Sequence, residues 1–117
     1  MSRNVTWIAE ATIKPGKREE FEAVRNDLVA ATSQEEGALN YEWYICEEGK
    51  EVYIYERYAD FDAAVTHLKT FGAHAHRFTA AADFTVLTVL TDRPDDLREH
   101  LAGINTAFRV PWGGFKK

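Results

Sequence analysis

Glu56 and His67 are the residues whose types and spacing could do chemistry. They sit eleven positions apart in Tyr53–Thr70, an aromatic stretch that reads as a strand turning directly into a helix. A carboxylate and an imidazole brought together between a sheet and its covering helix form an acid–base pair. In the functional reading His67 takes a proton from an acidic phenol or quinol, and Glu56 orients the ring or stabilises its charged form. The competing reading is a buried hydrogen-bonded pair that locks helix to sheet.

Whether the two residues can meet depends on the elements around them. Val5, Trp7, Ala9, Ala11 and Ile13 alternate with polar neighbours, the period of a strand. A Lys14-Pro15-Gly16-Lys17 turn follows. Phe21, Val24, Leu28 and Ala31 then recur at helical spacing behind an acidic first turn. Glu35-Glu36-Gly37 stops that helix, with Gly37 suited to a left-handed cap or the loop just beyond. Leu39–Cys46 and Glu51–Tyr58 alternate again around Glu48-Gly49-Lys50, a predicted hairpin. On its second strand Val52, Ile54, Glu56 and Tyr58 share one face. Asp60 suits the N-cap of the next helix, which turns Phe61, Ala64, His67 and Leu68 inward. Gly72 interrupts the pattern, and a further helical piece runs to about Ala82. Phe84–Thr91 is the last strand of the unit, apolar enough to be buried on both faces.

This order predicts an α+β fold, the ferredoxin-like split βαββαβ unit with a four-stranded antiparallel sheet and helices on one face. The open face carries an aromatic load too apolar to remain wet, so a homodimer is expected. Residues 1–91 form the unit. Residues 92–117 add a short helix through about Leu101 and an arm with Phe108, Trp112 and Phe115 that docks on its own sheet or a partner's.

Composition excludes several classes. A net charge of -5 with no basic stripe argues against nucleic acid binding. No segment is long and apolar enough for a signal peptide or membrane span, so a soluble, cytoplasmic protein without membrane partners is expected. Cys46 is alone and reads as a small buried hydrophobe on a strand. Histidines 67, 74 and 76 invite a metal reading, but His74 and His76 point roughly 200° apart on one helix, so no metal site is expected. His100, between Glu99 and Leu101, reads as solvated. No Gly-x-Ser-x-Gly turn, phosphate loop or dinucleotide fingerprint is present, and no integral cofactor is expected.

The segments Ala11-Thr12-Ile13-Lys14-Pro15-Gly16-Lys17, Glu36-Gly37-Ala38-Leu39-Asn40-Tyr41, Tyr55-Glu56-Arg57-Tyr58-Ala59-Asp60 and Ala64-Val65-Thr66-His67-Leu68-Lys69-Thr70 resemble the antibiotic biosynthesis monooxygenase (ABM) domain family, over roughly residues 5–91. The resemblance implies a dimeric α/β barrel with a pocket between sheet and helices in each subunit. It also implies a cofactor-independent, quinol-monooxygenase-like activity on a small aromatic substrate. Family members differ in chemistry more than in fold. Against the haem-degrading branch, the expected Asn and Trp positions hold Ala9 and His67. Trp7, Asn40, Trp43 and Tyr58 are the expected substrate-binding residues beside Glu56 and His67, and no metal is expected. The alternatives are a proton-transfer enzyme such as an isomerase acting on a small carbonyl compound, or a non-catalytic small-molecule binding protein.

Overall fold

A computed structural model of the protein describes residues 3–117; Met1 and Ser2, at the start of the expected 1–91 unit, lie outside it. The chain runs β1 (Val5–Ile13), α1 (Arg18–Thr32), β2 (Ala38–Ile45), β3 (Glu51–Tyr58), α2 (Phe61–Gly72), α3 (Ala75–Ala81), β4 (Ala82–Leu90), α4 (Pro94–Arg98) and β5 (Thr106–Arg109). The sheet order is β2-β3-β1-β4-β5. The first four strands form the antiparallel ferredoxin-like unit, with β1 at the centre between β3 and β4.

The expected four-stranded antiparallel sheet is corrected by β5, which pairs in parallel with β4 and makes the sheet five-stranded and mixed. A strand of four residues, Thr106–Arg109, is too short to show a period of its own. It forms because α4 supplies the crossover that a parallel pairing needs and because β4 offers an edge. Leu87 and Thr91 donate backbone N–H groups to Asn105 and Arg109 at 2.9 and 3.1 Å.

The core follows from alternation. Val5, Trp7, Ala9, Ala11 and Ile13 are all buried beneath the helices, as are Val52, Ile54, Glu56 and Tyr58 of β3. Helix α1 buries Phe21, Val24, Leu28 and Thr32, one face at helical spacing. The Asp60 carboxylate caps α2 by accepting from Ala63 N–H at 2.9 Å, and α2 buries Ala64 and His67 one turn apart. Helix α4 anchors the C-terminal segment through buried Leu97 and, just beyond it, Leu101. Among the described residues no helix is long and apolar enough to cross a membrane.

Two further expectations are corrected. Strand β4 is buried on one face only: Leu87 and Val89 point to the helices while Leu90 is 39% exposed on the open side. Cys46 is half-buried and lies beyond the end of β2, where its sulfur accepts from Glu51 N–H at 3.3 Å across the hairpin turn. Of the two places expected for Gly37, it takes the loop just beyond α1 rather than a left-handed cap, its φ not being positive. Its use is a close approach: a Cβ at Gly37 would lie 2.4 Å from the Cβ of Ala63, so only glycine lets the α1–β2 loop sit this near to α2.

Candidate active site

That close approach delivers a residue to the site. The loop carrying Gly37 also carries Glu35, whose backbone N–H is tied to Thr32 C=O at 2.9 Å and whose C=O accepts from Ala38 N–H at 3.1 Å. Its side chain therefore points into the layer between α1, α2 and the sheet. There Glu35 Oε2 lies 3.1 Å from His67 Nδ1, while Glu56 Oε1 lies 3.2 Å from His67 Nε2. The imidazole is thus held edge to edge between two carboxylates, with side-chain exposures of 2% for His67, 8% for Glu35 and 6% for Glu56. The Tyr58 hydroxyl donates to Glu56 Oε1 at 2.5 Å, and the Tyr58 ring stacks on the imidazole with centroids 5.0 Å apart.

Each element places its residue for a local reason. Glu56 and Tyr58 are two apart on β3 and so share the helix-facing side. His67 lies one turn beyond Ala64, whose small side chain lets α2 settle on the sheet. Trp7, opposite Glu56 in the β1–β3 register, packs at 5.0 Å from Tyr58 and 6.4 Å from His67.

Burial alone would push the His67 pKa down. The hydrogen bond and charge of Glu56, together with those of Glu35, outweigh it and hold the imidazole above its ordinary value. Each ring nitrogen faces a carboxylate oxygen; the imidazolium form can donate to both, and the neutral ring, with one N–H, to only one. The hydroxyls of Tyr58 and Tyr41 are both pushed upward, first by burial and then by the Glu56 charge, so they remain neutral donors. Among the described residues no group of three or more His, Cys, Asp or Glu is arranged to hold a metal ion. The two carboxylates stand at opposite edges of the imidazole and cannot converge with it on one point.

Glu56 and His67 open onto a cavity of about 630 Å³. Its walls are Leu68 and Phe71 of α2, Phe78 of α3 and Phe84 and Leu87 of β4, with Trp7 and Ala9 on the sheet side. This is an apolar cavity with few polar groups, of the size that holds a small organic molecule. The far wall comes from the C-terminal segment, through His100, Gly103, Ile104 and Asn105. A smaller hollow of about 240 Å³ beside α4 lies away from the pair, where Arg93 is already bound to Asp96 at 2.8 Å.

Of the residues expected at the site, Trp7, Glu56 and His67 line the cavity and Tyr58 supports it from behind through Glu56. Trp43 is on the same face of the sheet but outside the cavity lining, packed against Phe21 and the wall residue Phe78. Asn40 is on the opposite face, where its side chain accepts from Arg57 at 2.8 Å and donates to Glu42 at 2.6 Å. Sequence reasoning missed Glu35, read as part of a helix stop, because its partner His67 lies 32 residues away and no spacing connects them. It also missed the C-terminal wall. His100, expected to be solvated, is exposed but also lines the cavity, with Phe61 edge-on to its ring at 5.4 Å.

Comparison with known proteins starts from the fold. MupZ from Pseudomonas fluorescens superposes with a TM-score of 0.91 and 24% identity, over 100% of this chain and 91% of MupZ, so α4 and β5 fall within the likeness. SnoaB, a cofactor-independent oxygenase from Streptomyces nogalater, has a TM-score of 0.67 and 20% identity over 77% of this chain and 93% of its own. Rv0793 from Mycobacterium tuberculosis has a TM-score of 0.68 and 23% identity over 75% and 93%. None of the curated proteins matches the sequence. Residues 4–81, which hold β1 through α3 and with them Glu35, Glu56 and His67, match the family described as antibiotic biosynthesis monooxygenase. With that match spanning well over half of the chain and the fold agreeing, the protein belongs to the antibiotic biosynthesis monooxygenase family.

Proposed function

We propose that the protein is a cofactor-independent monooxygenase that oxidises a phenol or quinol in the cavity between the sheet and its helices. The observation that carries this reading is the imidazole of His67, held between two carboxylates at the floor of an otherwise apolar cavity. Oxygen reacts slowly with a neutral phenol and faster with its anion. A base in a water-poor pocket is therefore the equipment such a reaction needs. The phenolic proton passes to the His67–Glu56 pair, and the substrate anion gives electrons to O2. A carbon–oxygen bond forms at a ring carbon and the oxygen–oxygen bond then breaks. One oxygen stays as the new carbonyl; the other leaves as water with the phenolic and ring hydrogens. The aromatic walls Phe71, Phe78 and Phe84 suit a planar substrate.

A second reading, proton transfer next to a carbonyl as in an isomerase, is favoured by one observation. The imidazole of His67 and the carboxyl group of Glu56 stand 3.2 Å apart on the cavity floor, two proton-transfer groups placed to act on neighbouring atoms without oxygen. Oxygen-electrode measurements over a panel of phenols and quinols separate the two. Stoichiometric uptake that is lost in His67→Ala and Glu56→Gln supports the oxygenase. Solvent deuterium exchange into a carbonyl compound without uptake supports the isomerase. Ligand binding that survives both substitutions with no turnover of any kind supports a binding protein and sinks both.

The proposed assembly is a homodimer through the open face of the sheet, where Tyr44, Tyr53 and Leu90 are between 39% and 57% exposed. Sedimentation as a monomer at micromolar concentration would contradict it.

A further inference from the structure

The two carboxylates that hold His67 are not equivalent. Glu56 faces the cavity, whereas Glu35 lies on the closed side of the ring, and neither it nor its neighbours Thr32, Tyr41 and Trp43 line the cavity. On that side, among the described residues, Glu35 Oε1 is buried without a hydrogen-bond partner. On the cavity side, both contacts of Glu56 use Oε1, to His67 and to Tyr58, which leaves Oε2 for a bound molecule. A substrate hydroxyl entering the cavity can therefore compete for His67 Nε2, but nothing entering that way reaches Nδ1.

From this asymmetry we infer that Glu35 is the positioning residue of the site: it holds the Nδ1–H of His67 and so leaves Nε2 as the atom that takes the substrate proton. The inference rests on the acid–base reading above. A neutral imidazole carries one N–H and can satisfy only one of its two carboxylates. Glu35, whose side chain is 8% exposed and outside the cavity lining, keeps that proton on Nδ1, and the lone pair of Nε2 then lies on the cavity side beside Glu56. The groups facing the ring are Glu35 from the α1–β2 loop, Tyr41 from β2 and Glu56 and Tyr58 from β3, with His100 across the cavity. Both tyrosines are neutral donors, so the two glutamates set the charge that the ring meets. A third group that fixes the tautomer of a histidine base is the logic of the serine-protease triad, here built from different elements.

The test needs neither substrate nor turnover. Long-range 1H–15N correlation spectra of the wild-type protein across its titration report which nitrogen of His67 keeps the proton. The inference requires the neutral ring to be the Nδ1–H tautomer; a neutral Nε2–H ring would overturn it. In folded Glu35→Gln the amide oxygen still accepts from Nδ1 but the charge is gone. The His67 midpoint must move to lower pH, and once a substrate is known kcat must fall by about 10²-fold or more with KM little changed. An unmoved midpoint would overturn the inference, and so would an unchanged kcat, because a merely structural Glu35 shifts the midpoint and leaves turnover in place. Should Glu35→Gln fail to fold, the wild-type tautomer still decides. Because the spectra are read without turnover, failure of the oxygenase reading is seen separately, as absent oxygen uptake with the tautomer in place.

Discussion

Replacing Gly37 by alanine tests how the site is assembled. The new Cβ would lie 2.4 Å from Ala63 Cβ and 3.5 Å from Ala63 Cα. Carbon atoms in ordinary contact sit about 3.5–4.0 Å apart, so the α1–β2 loop and the first turn of α2 must separate by about 1 Å. Neither side yields easily. Ala59 N–H donates to Gly37 C=O at 2.8 Å, and the Asp60 cap holds Ala63 N–H at 2.9 Å. Overpacking of this kind costs about 1–3 kcal/mol. Unfolding entropy of about 2.1 cal/mol/K per residue gives roughly 0.25 kcal/mol/K for a chain of this length, so the melting temperature should fall by about 4–12 °C. The sign is informative, because Gly37 does not need a positive φ. Without the clash, alanine would stabilise by about 0.4–1 kcal/mol through the unfolded state. The assay is thermal and denaturant unfolding of Gly37→Ala, Ala63→Gly and the double variant. The double variant removes the clashing methyl and should recover most of the loss, giving a coupling of about 1 kcal/mol or more. Gly37→Ala melting at or above the wild-type temperature would refute the close-approach argument and with it the account of how Glu35 is delivered.

The remaining predictions concern the site itself. Glu56→Gln keeps the shape and loses the charge, so turnover should fall by about 10²–10⁴-fold with the fold intact by circular dichroism. The folded pKa of His67 lies above its unfolded value of about 6.5. Its stabilising contribution is therefore fully present below that pH and lost as pH rises through the raised folded value. Urea midpoints measured from pH 5 to 9 should decline on the alkaline side in the wild type, and this decline should be reduced in His67→Phe. Ile104→Trp fills the cavity from the C-terminal wall at a side chain that is 37% exposed, so it should raise KM at least about tenfold while moving the melting temperature by little.

Much of this architecture was legible because one face of each element is buried. Strict alternation places β1 and β3 at the residues expected, and the same period puts Glu56 on the helix side with Tyr58. The Asp60 cap and the Ala64–His67 spacing fix the phase of α2, which is why His67 was expected to turn inward. What could not be read is non-local. Glu35 looks like any solvated acid after a helix until Gly37 packs on Ala63. Trp43 has the right face but the wrong position along the sheet, and Asn40, three residues before it, lies on the other face by the alternation of β2 itself. Strand β5 exists only because β4 offers an edge in parallel to a segment with no pattern of its own.

The central claim is that the Glu35–His67–Glu56 cavity removes a proton from a phenol or quinol so that its anion reacts with oxygen. Turnover under 18O2 with mass analysis of the product tests it most directly. The account predicts one labelled oxygen in the product and the second as labelled water, with incorporation lost in His67→Ala and Glu56→Gln. Product formed without label, or label retained at full rate in both variants, would contradict it.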